Sequence, residues 1–147
     1  MLMSASWLLA QGVAPLLLRL ALGAVFIAHG ADKLWGTFGG DGFEAMVAFL
    51  QSQHIEPAYW QALAASWGEF GGGVLVTLGL FSRFGAALIA VTMAVATFVV
   101  HWQGGFFLHN NGFEYTLVLL CVALYLVLAG PGLWTLGRVL RLPQPLH

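Results

Sequence analysis

The sequence predicts an all-α protein: a transmembrane antiparallel four-helix bundle carrying short amphipathic interfacial helices. Three observations lead there. Of 147 residues, 60% are hydrophobic and 7% are charged, against about 25% charged in an ordinary soluble domain. The apolar residues fall into four runs, each close to the roughly 20 residues needed to cross a bilayer. Glycine-rich or polar breaks separate the runs, and they are too short to hold a further soluble unit. Residues 1–147 therefore read as one membrane domain.

The first run covers about residues 13–35 and is interrupted by Arg19 and His29. No basic stretch precedes it and no small-x-small site clearly ends it, so it is expected to persist as a membrane helix and not to be cleaved. Gly36 to Gly42 ends it. Between Phe43 and Leu50 the apolar residues 43, 46, 47 and 50 share one helical stripe with Glu44 off it, the pattern of a short interfacial helix. The second run spans about 59–81, and a tight Ser82-Arg83 turn leads to the third at about 84–102. After the break from Gln103 to Gly112 comes the fourth, about 113–129, stopped by Gly130-Pro131-Gly132. Leu133 to Leu142 forms a second amphipathic piece with Arg138 and Arg141.

The basic residues orient this bundle. Four spans place the two termini and the Ser82-Arg83 turn on one side, together with Arg19, Arg83, Arg138 and Arg141, while Lys33 alone opposes them. The positive-inside rule then makes both termini cytoplasmic and puts the 36–57 and 103–112 loops outside. Arg19 reads as part of that signal, its long stem snorkelling toward the cytoplasmic face. Trp7, Trp35, Trp60, Trp102 and Trp134 fall at span ends, as in an interfacial aromatic belt.

Several function classes drop out. A net charge of -1 gives no basic face for nucleic acid. Cys121 is the one cysteine, so neither a disulfide framework nor a thiol-exchanging pair can form within the chain. Gly36 to Gly42 lacks the following Gly-Lys-Ser/Thr of a phosphate loop.

An ionisable group at membrane depth costs about 2.5 to 3.5 kcal/mol on insertion scales, so each needs a partner or a purpose. Glu69 lies near the middle of the second span among Gly68, Gly71, Gly72 and Gly73, and the Gly68-x-x-x-Gly72 pair invites close helix packing. His29 and Lys33 continue the stripe Arg19, Leu22, Phe26 on the first span. Antiparallel spans tilt His29 and Glu69 toward one depth, which predicts contact between them, direct or bridged by one water. His101 ends a small-residue face on the third span and Glu114 opens the fourth; the short loop between them predicts an ion pair at the outer mouth. Phe26-Ile27-Ala28-His29 and Phe98-Val99-Val100-His101 share their spacing, a hint of two parallel repeats. The expected polar patch is His29, Lys33, Glu69, His101 and Glu114, with Asp32 and His109 within reach.

The segments His29-Gly30-x-x-Lys33, Gly68-Glu69-Phe70-Gly71-Gly72, Leu78-Gly79-Leu80 with Arg83, Met93 and His101, Gly105-Phe106-Phe107, Gly112-x-Glu114-Tyr115 and Gly130-Pro131-Gly132, in this order, resemble the DoxX family of small four-helix membrane proteins. The resemblance runs from about Leu16 to Leu140. It implies a bacterial inner-membrane protein. It further implies an association with quinol-linked oxidation, with redox-defence oxidoreductase complexes or with metal-responsive peptide maturation. Trp134-Thr135-Leu136-Gly137-Arg138 stands where many relatives carry Ser-Leu-Asp.

The patch fits three kinds of chemistry. A quinone head group would take hydrogen bonds from His29 or His101 and exchange a proton with Glu69 or Glu114, making the chain a redox-linked subunit with partner proteins. His29, Glu69, His101 and Glu114 would also suffice to ligate zinc or iron. A bis-histidine haem between His29 and His101 is disfavoured by the tight small-residue faces. The third reading is a non-catalytic membrane scaffold whose buried charges fix helix register.

Overall fold

The computed structural model describes residues 5–142, all of them in helices, turns and loops without a strand. Residues 1–4 and 143–147, and with them the expected cytoplasmic placement of both termini, lie outside the described residues. Two segments are long and apolar enough to cross a membrane, Ser6–Trp35 and Ser82–Val100. A third apolar helix, Glu114–Ala129, is shorter.

The first long helix starts earlier than its composition predicts. Ala5–Leu8 runs through a π turn, Leu9–Val13, into α1, Ala14–Trp35. Pro15 sits in the first turn of α1 and has no N–H to give to the Gln11 carbonyl one turn back. That freed carbonyl accepts the Leu133 N–H at 2.7 Å instead, tying the C-terminal segment to the helix. The expected interfacial helix is present as α2, Gly42–Ser52. Next come α3, Ala58–Leu78, and α4, Ser82–Val95, which continues through a π turn, Ala96–Val100. Then follow α5, Glu114–Ala129, and one turn of α6, Leu136–Val139.

The four long helices pack in sequence: α1 on α3, α3 on α4, α4 on α5, and α5 back on α1. Leu22 and Phe26 of α1, Val76 of α3, Ile89 and Met93 of α4 and Leu126 of α5 anchor one buried core. A second, smaller cluster of Leu50, Ala58 and Ala62 seats α2 on α3. Glycines set the closest approaches. A Cβ on Gly73 would stand 2.8 Å from the Ile27 nitrogen of α1, and one on Gly72 would stand 2.8 Å from the Gly85 carbonyl of α4. Gly68 does not share this role, because a Cβ there would meet nothing nearer than Thr92 Oγ1 at 3.9 Å. The predicted Gly68-x-x-x-Gly72 pair thus divides into one packing glycine and one that leaves space.

One end of the bundle is held by arginines. Arg19 is not a snorkelling residue: it is 2% exposed. Its Nε donates to Val76 O at 2.8 Å and Nη2 to Thr77 O at 2.9 Å, while Nη1 reaches Trp134 O at 2.7 Å and Pro131 O at 3.1 Å. The last carbonyls of a helix have no partner within it, and Arg19 supplies one to α3 and to the Gly-Pro-Gly segment together. Gly79 makes this possible. It caps α3 at φ +72°, and a Cβ there would crowd Arg19 Nη2 at 2.8 Å. Arg83 serves α5 likewise, donating to Val127 O at 2.6 Å and Leu128 O at 3.1 Å.

Candidate functional site

Toward the opposite end, where α2 lies, the helices enclose a cavity of about 520 Å³, within the roughly 300–1,000 Å³ range of small-molecule sites. Its walls come from α1, α2, α3, α4 with its π turn, and α5. Most of the lining is aliphatic or aromatic. His29, Lys33, Gln61, Glu69, Thr92, His101, Tyr115 and Thr116 are its polar members.

Glu69 is 1% exposed, and its Oε1 accepts a hydrogen bond from Lys33 Nζ at 2.6 Å. Glu69 Oε1 is thus taken by Lys33, a turn further along α1, and no direct hydrogen bond to His29 is seen among the described residues. Gly30 faces Phe70 and Ile27 faces Gly73, so Glu69 stands level with the turn between His29 and Lys33, and the longer, charged side chain takes it. His29 remains exposed on the cavity wall. The second oxygen, Glu69 Oε2, is buried and makes no hydrogen bond among the described residues.

His101 and Glu114 do not pair with each other. His101 Nδ1 lies 2.9 Å from Asn111 O, and Glu114 Oε1 accepts the Leu108 N–H at 2.6 Å. The tight loop between them exposes backbone groups that need partners, and it satisfies itself with both side chains. A carbonyl only accepts, so Nδ1 carries a proton in this contact. His101 lines the cavity; Glu114 is not part of its wall. The proposed ligand set His29, Glu69, His101 and Glu114 is therefore not drawn to one point, and among the described residues no three His, Cys, Asp or Glu side chains form a metal-ligating group.

Sequence reasoning missed the hydroxyl wall and the role of α2. Thr97 Oγ1 donates to Thr116 Oγ1 at 2.9 Å, Thr116 donates to Phe113 O at 3.0 Å, and Thr92 donates to Leu88 O at 3.0 Å. Met46, Phe49 and Leu50 of α2 form part of the wall, so this helix is part of the site and not merely an interfacial float. Trp7, Trp35, Trp60, Trp102 and Trp134 are all exposed, and Trp67 joins Trp35 edge-on at 5.9 Å.

The DoxX family model matches residues 14–102, more than half of the chain. The chain belongs to the DoxX family. This DoxX chain is 32% identical over 118 residues to "Putative oxidoreductase CatD" of Bacillus subtilis (strain 168), covering 80% of each. It is 32% identical over 122 residues to an uncharacterized protein of Haemophilus influenzae, covering 78% of this chain and 81% of that one. A second H. influenzae protein is 26% identical over 136 residues, 92% of this chain and 88% of that one. No solved structure matches. The matched DoxX region holds the Lys33–Glu69 pair, both cavity histidines and α2, while Tyr115 and Thr116 lie beyond it.

Proposed function

We propose that this DoxX protein is a four-span protein of the bacterial inner membrane, with both termini cytoplasmic, that serves a redox partner by holding a quinone-type ring in the cavity at its outer, α2 end. The observation that carries this reading is the Lys33–Glu69 pair set into an otherwise apolar cavity of ligand size. An apolar slot accepts a lipid-soluble ring, and a few convergent polar groups orient it. Lys33 offers a cation to a ring oxygen, Glu69 exchanges its proton, and His29 and His101 lie on the same wall as further hydrogen-bonding groups. The name of the B. subtilis relative, "Putative oxidoreductase CatD", supports a redox setting.

Tryptophan quenching by decylquinone in nanodiscs tests this reading, with empty nanodiscs as the partition control. Saturable quenching that Gly68→Leu abolishes is the expected result; quenching equal to lipid partition alone would overturn it. Orientation is tested with Cys121→Ser and a new cysteine at Ser52, which a membrane-impermeant maleimide should label from the outside of intact cells.

A scaffold reading has one observation in its favour: Lys33–Glu69 also ties α1 to α3. It predicts that Glu69→Gln lowers stability and leaves ligand binding unchanged.

A further inference from the structure

The cavity is not closed on every side. At one level α3 and α4 touch backbone to backbone: a Cβ on Gly72 would stand 2.8 Å from Gly85 O, and a Cβ on Gly85 would stand 2.9 Å from Gly72 O. One turn toward the α2 end, a Cβ on Gly68 would meet nothing on α4 nearer than 3.9 Å, so the two helices have parted. The π turn at the outer end of α4, marked by the His101 N–H on Ala96 O at 2.9 Å, carries Thr97, whose hydroxyl bonds Thr116 of α5 at 2.9 Å. That bond ties the outer end of α4 to α5 and not to α3.

Wall residues along the widening gap reach the protein surface. Val91 is 67% exposed, Val95 42% and Phe49 of α2 43%, Ala64 of α3 is exposed as well, and all four line the cavity. A side chain that is both cavity wall and outer surface marks an opening. This one is apolar apart from Gln61 at its outer rim, since Thr92 gives its hydroxyl to Leu88 O at 3.0 Å. On α1 and α5, at the opposite edge of the bundle, the wall residues that reach the surface are the polar His29 and Tyr115.

We infer that the gap between α3 and α4 is a lateral portal from the bilayer, and that an aliphatic chain of an outer-leaflet lipid enters the cavity through it. The membrane placement rests on the four-span reading proposed above; the occupant follows from the gap itself. Val91 and Val95 lie within Ser82–Val100, one of the two segments long and apolar enough to cross a membrane. Water needs two to four polar partners to settle in a cavity, and the walls of the gap give it few. A partner helix, about 10 Å across with its side chains, needs a groove that runs on, whereas this one is stopped by the Gly72–Gly85 contact below and by α2 above. An aliphatic chain asks for no hydrogen bond and restores the dispersion contacts that an empty apolar gap forfeits. Any ring ligand of the cavity then has to displace a lipid chain, and has its own way in from the membrane.

The probe is a phosphatidylcholine with a diazirine midway along one acyl chain, doped into nanodiscs that hold the whole protein, irradiated and mapped by peptide mass spectrometry. The expected result is adducts on Met93 of α4 and Leu119 of α5, cavity-wall residues behind the gap, besides those on the outward-facing Val118 and Leu128. Ala64→Phe should abolish the inner adducts and keep the outer ones, with the unfolding midpoint in detergent unchanged. Should that variant fail to fold, Val91→Trp narrows the gap from α4 and should do the same. Adducts confined to the outward faces, or inner adducts that a folded blocking variant leaves intact, overturn the portal. A disulfide-linked dimer formed through Val91→Cys on the Cys121→Ser background also overturns it, because a second copy would then cover the gap. Decylquinone quenching is scored apart: saturable quenching without inner adducts sinks the portal alone, and inner adducts without saturable quenching sink the ring reading alone.

Discussion

The two ends of this bundle use buried polar groups in opposite ways. At the arginine end every guanidinium bond of Arg19 goes to a backbone carbonyl, four of them from two segments of chain, and Arg83 closes the last turn of α5. The charge is consumed in finishing helices. At the α2 end the Lys33–Glu69 pair leaves Oε2 without a donor, and the helices stand apart around a cavity that α2 overhangs. The arginine end is packed around its guanidinium bonds, although Ser82 Oγ there is also buried without a partner among the described residues, while the α2 end surrounds free volume. Buried charge alone therefore does not mark a site in this protein; unspent hydrogen-bonding capacity beside free volume does.

The largest expected break in this comparison is Arg19→Met. It leaves buried carbonyls at Val76 and Pro131 and part-buried ones at Thr77 and Trp134 without their donor and should cost about 3 kcal/mol, read as a lower midpoint in detergent unfolding, with the Gly-Pro-Gly segment becoming accessible to protease. Gly73→Ala comes next. Its Cβ would meet the Ile27 backbone, and forcing α1 from α3 should cost about 2 kcal/mol while disturbing Lys33–Glu69. Glu69→Gln should cost less, about 1 kcal/mol, because Lys33 is 27% exposed and water takes over part of its solvation; its main effect belongs to ligand binding. Thr97→Val, which breaks one hydroxyl bond between α4 and α5, should cost about 0.6 kcal/mol, the average for such bonds in a membrane bundle.

Much of the helical plan was legible because apolar run length and glycine breaks are local properties. The runs at 59–81 and 84–102 correspond to α3 and to α4 with its π turn, and the stripe at 43, 46, 47 and 50 corresponds to α2. Lys33, Glu69, His29 and His101 were also legible as polar groups in apolar surroundings, and all four line the cavity. Their pairing was not. Whether Glu69 meets His29 or Lys33 depends on a register of one helical turn between α1 and α3, set by Gly30 against Phe70 and Gly73 against Ile27, and single-helix periodicity does not contain it. Arg19 looked like a snorkelling charge because its partners are backbone carbonyls remote in sequence. His101 and Glu114 missed each other because loop backbone groups competed for both.

Gly68 tests the contrast between the ends most directly. A side chain there enters the cavity without a backbone clash, its Cβ 3.9 Å from Thr92 Oγ1 and 4.0 Å from Leu88 Cβ. The decisive measurement is the affinity of Gly68→Leu for decylhydroquinone and decylquinone, taken beside its unfolding midpoint. If the α2 end is a ligand site and not merely loose packing, both affinities fall by more than about tenfold while the midpoint stays the same or rises. Unchanged affinities in a protein of unchanged stability would contradict the account, because the cavity would then have been filled without displacing anything that binds.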